Sequence, residues 1–208
     1  QFRKDMQRVK AFSPNEVVLE LELAAHDTTA LPYIRRTGRA QLTKLLPILQ
    51  ELHLQPSIAV IESRDKPLFF RDTTDFTRWF AHYYFELERV LERSAGHPLK
   101  RLVIGNEFKE LERRPPHEWR YLIDSLRALS KTKLVYSTTP DRVQKVQVWP
   151  LVDEIGIAYI PVADASLKRA HRNWHEHLSE LVHSYDKPVY ISHANVIGDD
   201  KLLQFKNK

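Results

Sequence analysis

The sequence predicts an α/β fold built on a parallel sheet, and three observations carry that reading. Strand-like apolar runs alternate with amphipathic helical stretches along nearly the whole chain, the order that produces right-handed β/α crossovers. The run Leu102-Val103-Ile104-Gly105, branched and aliphatic with polar residues at both ends, has the composition of a strand buried on both faces, as in a barrel or a doubly wound sheet. With 208 residues and 42% hydrophobic content, the chain is large enough to bury a core as one domain over residues 1–208, and it shows no internal repeat, low-complexity tract or linker.

The elements follow in order. Phe2, Met6, Val9 and Phe12 fall at three- and four-residue spacing and predict a helix over 2–12, ended by Ser13-Pro14-Asn15. Alternation then predicts a strand over 17–23, with Val17, Leu19, Leu21 and Leu23 on one face and Glu20 and Glu22 on the other. Residues 24–39 read as a long strand-to-helix loop. Leu42, Leu45, Leu46, Leu49 and Leu52 mark a helix, 56–61 the next strand, 62–72 a second loop and 74–94 a long helix. The strand ending in Glu107 comes next, followed by a helix over 115–129, a strand over 133–137, a short helix or turn over 142–149 and a strand over 153–160. A helix over 167–185 and a strand over 188–192 complete six recognisable strands.

Composition sets wider limits. Thirty-two Lys and Arg against 27 Asp and Glu give a net charge of +5, with both signs interspersed along the chain. No nucleic-acid motif and no basic-aromatic interleaving accompanies that excess, so a nucleic-acid partner is not expected. No cysteine is present, which removes disulfides and thiolate metal sites. No apolar stretch has membrane-spanning length, and residues 1–10 are charged and unlike a signal segment, so a soluble chain without a transmembrane segment is expected.

The chemistry-bearing candidates start at Asn106-Glu107. A glycosidase needs a carboxylic acid to protonate a leaving oxygen and an amide to hold a sugar hydroxyl, and active sites form at the ends of parallel strands. The bland alternative is a buried strand ending in a solvated Glu. His26 and Asp27 follow the first strand and are candidates to line a cleft, with Glu62 at the equivalent place after the next strand. Tyr136, Tyr159 and Trp149 are candidates to stack on a sugar ring, with core packing as the alternative for each. Glu20 and Glu22 are expected at an exposed edge, since paired carboxylates inside a barrel are costly. His171 and His175 have the four-residue spacing of paired imidazole ligands, and His177 lies nearby. Surface histidines are the preferred reading, so neither a metal nor any other cofactor is expected. Glu86, Glu88, Arg89, Glu92 and Arg93, like Lys100-Arg101, read as solvated faces.

Taken together, Gly105-Asn106-Glu107, Tyr136-Ser137, the stretch from Asp153 through Val162, and Lys187-Pro188-Val189 up to His193 resemble the clan-A glycoside hydrolases, most closely the family 113 β-mannanase-like barrels. Trp79-Phe80 before Tyr83 and Trp119-Arg120 add to the resemblance, which covers roughly residues 12–195. It implies a parallel (β/α) TIM-barrel-like fold whose visible strands are the second to seventh, an incomplete set because strands one and eight are not recognisable. It implies that Glu107 is the acid/base at the end of the fourth strand. The sixth-strand motif departs by one missing residue between Ile157 and Tyr159. The seventh strand of active members ends in a nucleophilic Glu, and that position holds His193.

A retaining glycosidase uses two carboxyl groups about 5 Å apart, and an imidazole is a poor substitute for the second. Three functions stay open: a degenerate barrel that binds a glycan or a protein partner, an active glycosidase whose second carboxylate is Asp199, Asp200 or Glu20, or a scaffold of a larger assembly. Uncovered sheet edges would favour a protein partner or a homo-oligomer. The resemblance also implies a secreted or periplasmic setting.

Overall fold

The computed structural model describes residues 2–10, 16–26, 29–71, 74–159, 179 and 183–194. The elements are α1 (Phe2–Lys10), β1 (Val17–Ala25), β2 (Pro32–Ile34), α2 (Arg36–Glu51), β3 (Pro56–Glu62), α3 (Phe76–Arg93), β4 (Arg101–Asn106), α4 (Pro116–Leu129), β5 (Lys133–Thr138), a 3-10 helix (Pro140–Lys145), β6 (Glu154–Tyr159) and β7 (Val189–Ala194). The strands form one sheet in the order β2-β1-β3-β4-β5-β6-β7. Every pairing is parallel except β1 with β2. This is the parallel β/α architecture the sequence predicts. The helix expected over 167–185 falls almost wholly outside the described residues. Among those described, no helix is long and apolar enough to cross a membrane.

Each strand presents two different faces. Leu21, Leu23, Ile58, Val60, Leu102, Ile104, Leu134, Tyr136, Ile155 and Ile157 point to the helical layer and pack against Trp79, Phe80, Tyr83, Trp119 and Trp149. The opposite face carries the smaller Ala59, Val103 and Val135, with Val18 and Tyr190 against them. Branched Val103, Val135 and Val18 on that concave face are the kind of side chain that fills the inside of a parallel barrel. Asp75 caps α3 by accepting from the Arg78 N–H at 3.1 Å, and Pro116 opens α4 where no N–H is needed.

Three expectations are corrected. The stretch 24–39 is not all loop: β1 runs to Ala25, β2 occupies Pro32–Ile34, and α2 begins at Arg36. A three-residue strand is too short to show alternation, and its leading proline suits the edge it forms. β2 covers β1 only at Leu23–Ala25, so Glu20 is exposed at the open edge as expected, while Glu22 pairs with Arg35 at 2.9 Å. Glu86 is not part of a solvated face. Only 6% exposed, it accepts from the Ile34 N–H and from Arg39 and Arg89, each at 2.7 Å, and so binds α3 to β2 and α2.

Lys100-Arg101 is the third correction. Arg101 opens β4 on the concave face, where Lys133 opens β5 and Glu154 opens β6. The Arg101 Nε donates to Glu154 at 2.5 Å and Lys133 Nζ donates to the other oxygen of that carboxylate at 2.5 Å. Arg101 also pairs with Glu16, which accepts from Ser57 and pairs with Lys100 at 3.1 Å, and the guanidinium lies 4.6 Å from the Tyr190 ring centre. The N-terminal end of the concave face is thus closed by a network of paired charges that the sequence, read locally, shows only as solvated residues.

Burial alone would raise the Glu154 pKa, but hydrogen bonds from Lys133 and Arg101 outweigh it and hold the carboxyl below its ordinary 4.5. A folded-state pKa below the unfolded one contributes stability that is present above the unfolded value and is lost as pH falls through the folded value. Arg101→Met leaves Glu154 with Lys133 alone and Glu16 with Lys100 alone, and should cost about 1–3 kcal/mol at pH 7. In urea unfolding, the gap between variant and parent should narrow from pH 5 toward pH 3, as Glu154 is protonated; a gap independent of pH would reject this role.

Candidate active site

The tip of β4 is shaped by a bulge. Val103 is level with Val135 of β5, yet Asn106 is level with Ser137, so three residues of β4 span two of β5. The same offset appears against β3. Strict alternation from Leu102 and Ile104 would turn position 106 toward the helices; the extra residue returns Asn106 to the register of the concave face. The Ile104 carbonyl accepts instead from the Tyr83 hydroxyl at 2.7 Å. At Gly105 an added Cβ would lie 2.6 Å from the Tyr136 ring and 2.9 Å from Phe108, so only glycine lets the strand close on those rings.

Glu107 follows immediately. Its N–H donates to the Ser137 carbonyl at 2.9 Å, and its backbone has φ of 57°, a left-handed conformation that costs a non-glycine residue about 1 kcal/mol. The next N–H, from Phe108, donates to the Tyr136 hydroxyl at 3.1 Å. Asn106 is half-buried, and its side-chain oxygen Oδ1 is buried with no hydrogen-bond partner. A buried acceptor beside a half-buried carboxylate, at the strand ends of a parallel sheet, is equipped to receive a hydroxyl and exchange a proton with an adjacent oxygen.

The loop beyond Glu107 is locked by a residue that sequence reasoning passed over. Glu112, fully buried, accepts from Thr138 Oγ1 at 2.6 Å and from Arg142 Nε at 2.7 Å, tying this loop to the end of β5 and to the 3-10 helix. Burial alone would lower the Arg142 pKa, but the Glu112 carboxylate raises it above its ordinary value. The local sequence Glu110-Leu111-Glu112-Arg113-Arg114 gives no sign of this, since it reads as a charged turn.

The other candidates separate. Tyr136 and Trp149 are fully buried, 5.8 Å apart between ring centres, with the Trp149 indole N–H donating to Val143 at 2.9 Å. Neither ring has a face open to a sugar, so the stacking role is withdrawn in favour of the core. Burial raises the Tyr136 pKa well above the usual phenol value, which keeps the hydroxyl protonated as a donor. Glu62 accepts from the Leu68 N–H at 2.7 Å and orders the loop after β3. His26 is exposed beyond β1, its ring 4.4 Å from that of Tyr33.

The backbone of Tyr159 ends β6, level with Ala194. His193 is level with Ala158, and a second bulge precedes it, because Ile191 is level with Ile157. Parallel pairing therefore brings Glu107, Tyr159 and His193 to one end of the sheet. The side chains of Tyr159 and His193, and the whole of Asp27, His171, His175, His177, Asp199 and Asp200, lie outside the described residues. Among those described, no group of three His, Asp or Glu side chains is placed to hold a metal.

A parallel sheet whose β4 is bulged and delivers Asn-Glu to its tip is consistent with the clan-A glycoside hydrolase barrels. The chain belongs to Glycoside Hydrolase Family 113, whose model matches residues 51–198. A GH113 β-1,4-mannanase superposes with a TM-score of 0.76 at 20% identity, covering 92% of this chain and 65% of its own. The GH113 β-mannanase AaManA from Alicyclobacillus acidocaldarius gives 0.76 at 18% identity over 92% of this chain and 64% of its own. An exo-β-1,4-mannosidase from Opitutaceae bacterium strain TAV5 gives 0.69 at 14% identity, over 95% and 42%. The chain thus spans about two thirds of the length of the mannanases it superposes on. No curated protein matches it.

The bulge generates a test by stability. Gly105→Ala drives a methyl into the Tyr136 ring and should destabilise by about 1–3 kcal/mol. Glu107→Gly relieves the left-handed backbone and should exceed Glu107→Ala in stability by about 1 kcal/mol. Thermal unfolding of the three variants measures both; equal midpoints for the two Glu107 variants would show that this conformation carries no strain.

Proposed function

We propose that this chain is a glycoside hydrolase barrel that binds a β-linked glycan of the mannan class and does not turn it over. The observation that carries the reading is His193 at the tip of β7, where the family pattern has a nucleophilic Glu. In this proposal Glu107 is the group that would protonate a glycosidic oxygen, and Asn106 offers its unpartnered Oδ1 to a sugar hydroxyl. His26, exposed beside the same end of the sheet, is a further candidate contact. A retaining mechanism then needs a second carboxylate about 5–5.5 Å from the first, to form the glycosyl-enzyme and to offset positive charge at the anomeric carbon. A neutral imidazole supplies no negative charge there, and a protonated one opposes the charge that develops.

The expected result is binding of manno-oligosaccharides without release of reducing sugar from β-mannan, β-glucan or aryl β-glycosides. His193→Glu restores the second carboxylate and should install turnover that Glu107→Gln then abolishes. Robust turnover by the unmodified chain, lost in Glu107→Gln, would overturn the proposal and direct attention to Glu20, Asp199 and Asp200 as the second carboxylate.

A further inference from the structure

The turn that follows Glu107 ends in a buried charge. Glu112 is fully buried, and both of its carboxylate oxygens are engaged. Arg142 meets Oε2 with Nε at 2.7 Å and with Nη2 at 2.6 Å, while Thr138 Oγ1 donates to Oε1 at 2.6 Å. The same Nη2 donates to the Lys109 carbonyl at 3.2 Å, so one guanidinium holds the turn at two points. Arg142 is itself confined, its side chain only 14% exposed. Buried pairs of this kind return little more stability than apolar residues of similar volume, whereas removing one partner leaves the other charge buried alone.

From Glu112 the contacts lead back to Glu107. The N–H groups of Leu111 and Glu112 donate to the Phe108 carbonyl at 2.8 and 3.0 Å, which draws residues 108–112 into one turn. The Phe108 N–H, in the peptide that leaves Glu107, donates to the Tyr136 hydroxyl at 3.1 Å, and Glu112 Oε1 lies 3.5 Å from that hydroxyl. On the other side, the Glu107 N–H donates to the Ser137 carbonyl at 2.9 Å. Glu107 is thus held at both of its peptides while its φ is 57°. A non-glycine residue released from such a backbone returns to negative φ, and its side chain changes direction. The sheet holds the first of the two peptides; the turn holds the second.

We propose that Glu112 is a positioning residue for Glu107: clamped by Arg142 and Thr138, it fixes the 108–112 turn against β5, keeps Glu107 in its left-handed backbone, and so sets where the acid carboxyl stands. The proposal rests on the reading of Glu107 as the acid of a sugar site, and it gives that acid a partner carboxylate that never touches the sugar. The charge on Glu112 is what anchors Arg142. An amide at this position still accepts from Thr138 but meets the guanidinium without the charge-assisted bond.

The NOE between the N–H and Hα of Glu107 tests it by NMR on the full chain, because that contact is strong only at positive φ. It should be strong in the unmodified protein. Glu112→Gln, and Arg142→Gln as a second variant at the other end of the pair, should each reduce it to the level of the residues of α4. Mannotetraose should bind each variant about tenfold more weakly, the scale of one hydrogen bond to a charged group. In a Glu107→Ala background the same substitutions should cost less than about twofold, because the acid they position is gone. A strong NOE in the folded variants would overturn the proposal by leaving Glu112 a structural role alone. So would a weak NOE in the unmodified chain, or a loss of affinity that persists in full without Glu107. No binding of mannotetraose by the unmodified chain would overturn the glycan reading, and the NOE would then decide the placement of Glu107 by itself.

Discussion

The Tyr136 ring and the missing side chain at Gly105 control the geometry of the whole strand end. Tyr136 is held by Phe108, Trp119 and Trp149, whose ring centres lie 6.5, 5.5 and 5.8 Å away, so the ring has nowhere to go. In a core this dense the smaller partner must yield, and Gly105 is the only residue type that can. Closure there makes room for the bulge, the bulge releases the Ile104 carbonyl to Tyr83, and Asn106 turns to the concave face. A buried aromatic cluster on the helical side thus sets the direction of a polar side chain on the other side of the sheet. Tyr136 acts as a positioning residue, through the backbone of Phe108 and the shape of Gly105, without presenting a surface to a ligand.

The charged groups on the concave face gather at the N-terminal end of the sheet. At the N-terminal end, Glu16, Arg101, Lys133 and Glu154 satisfy one another. Each carboxylate has two cationic partners, which suits an end concerned with stability. At the C-terminal end, Asn106 Oδ1 and the Trp79 indole N–H are buried without partners. An unmet buried group is a standing cost that folding alone does not recover.

What the sequence revealed depended on periodicity. The six long strands and the helices between them were legible because each carries several residues in phase, and the parallel pairing followed from their alternation. The remaining strand, β2 at Pro32–Ile34, was not, since three residues carry no period. Single-residue events were invisible for the same reason: a bulge changes the facing of Asn106 without changing composition. Ion pairs between distant segments were also hidden. Glu86 and Arg39 are 47 residues apart, and Arg101 and Glu16 are 85 apart, so each reads locally as a solvated charge. Tyr136 and Trp149 illustrate a different limit, because an aromatic residue at a strand end has the same identity whether it stacks on a sugar or fills the core. The family resemblance succeeded where local reading could not, since it drew on the order of several motifs at once and placed Glu107 and His193 on strands that the structure brings to one end of the sheet.

The two bulges bear on how far the backbone and the chemistry are separable. One precedes Asn106 on β4, the other precedes His193 on β7, and each shifts the register by one residue just before the strand ends. Without the second, position 193 would pair one step beyond Ala158, and alternation would assign it the opposite face. The backbone device that sets the register of a residue at this position is therefore present, although the residue is a histidine. Backbone register is set by glycines, rings and ladder bonds distributed over several strands, whereas reactivity at a strand tip resides in one side chain. In this sheet the register at the tip of β7 is therefore set independently of which side chain stands at position 193.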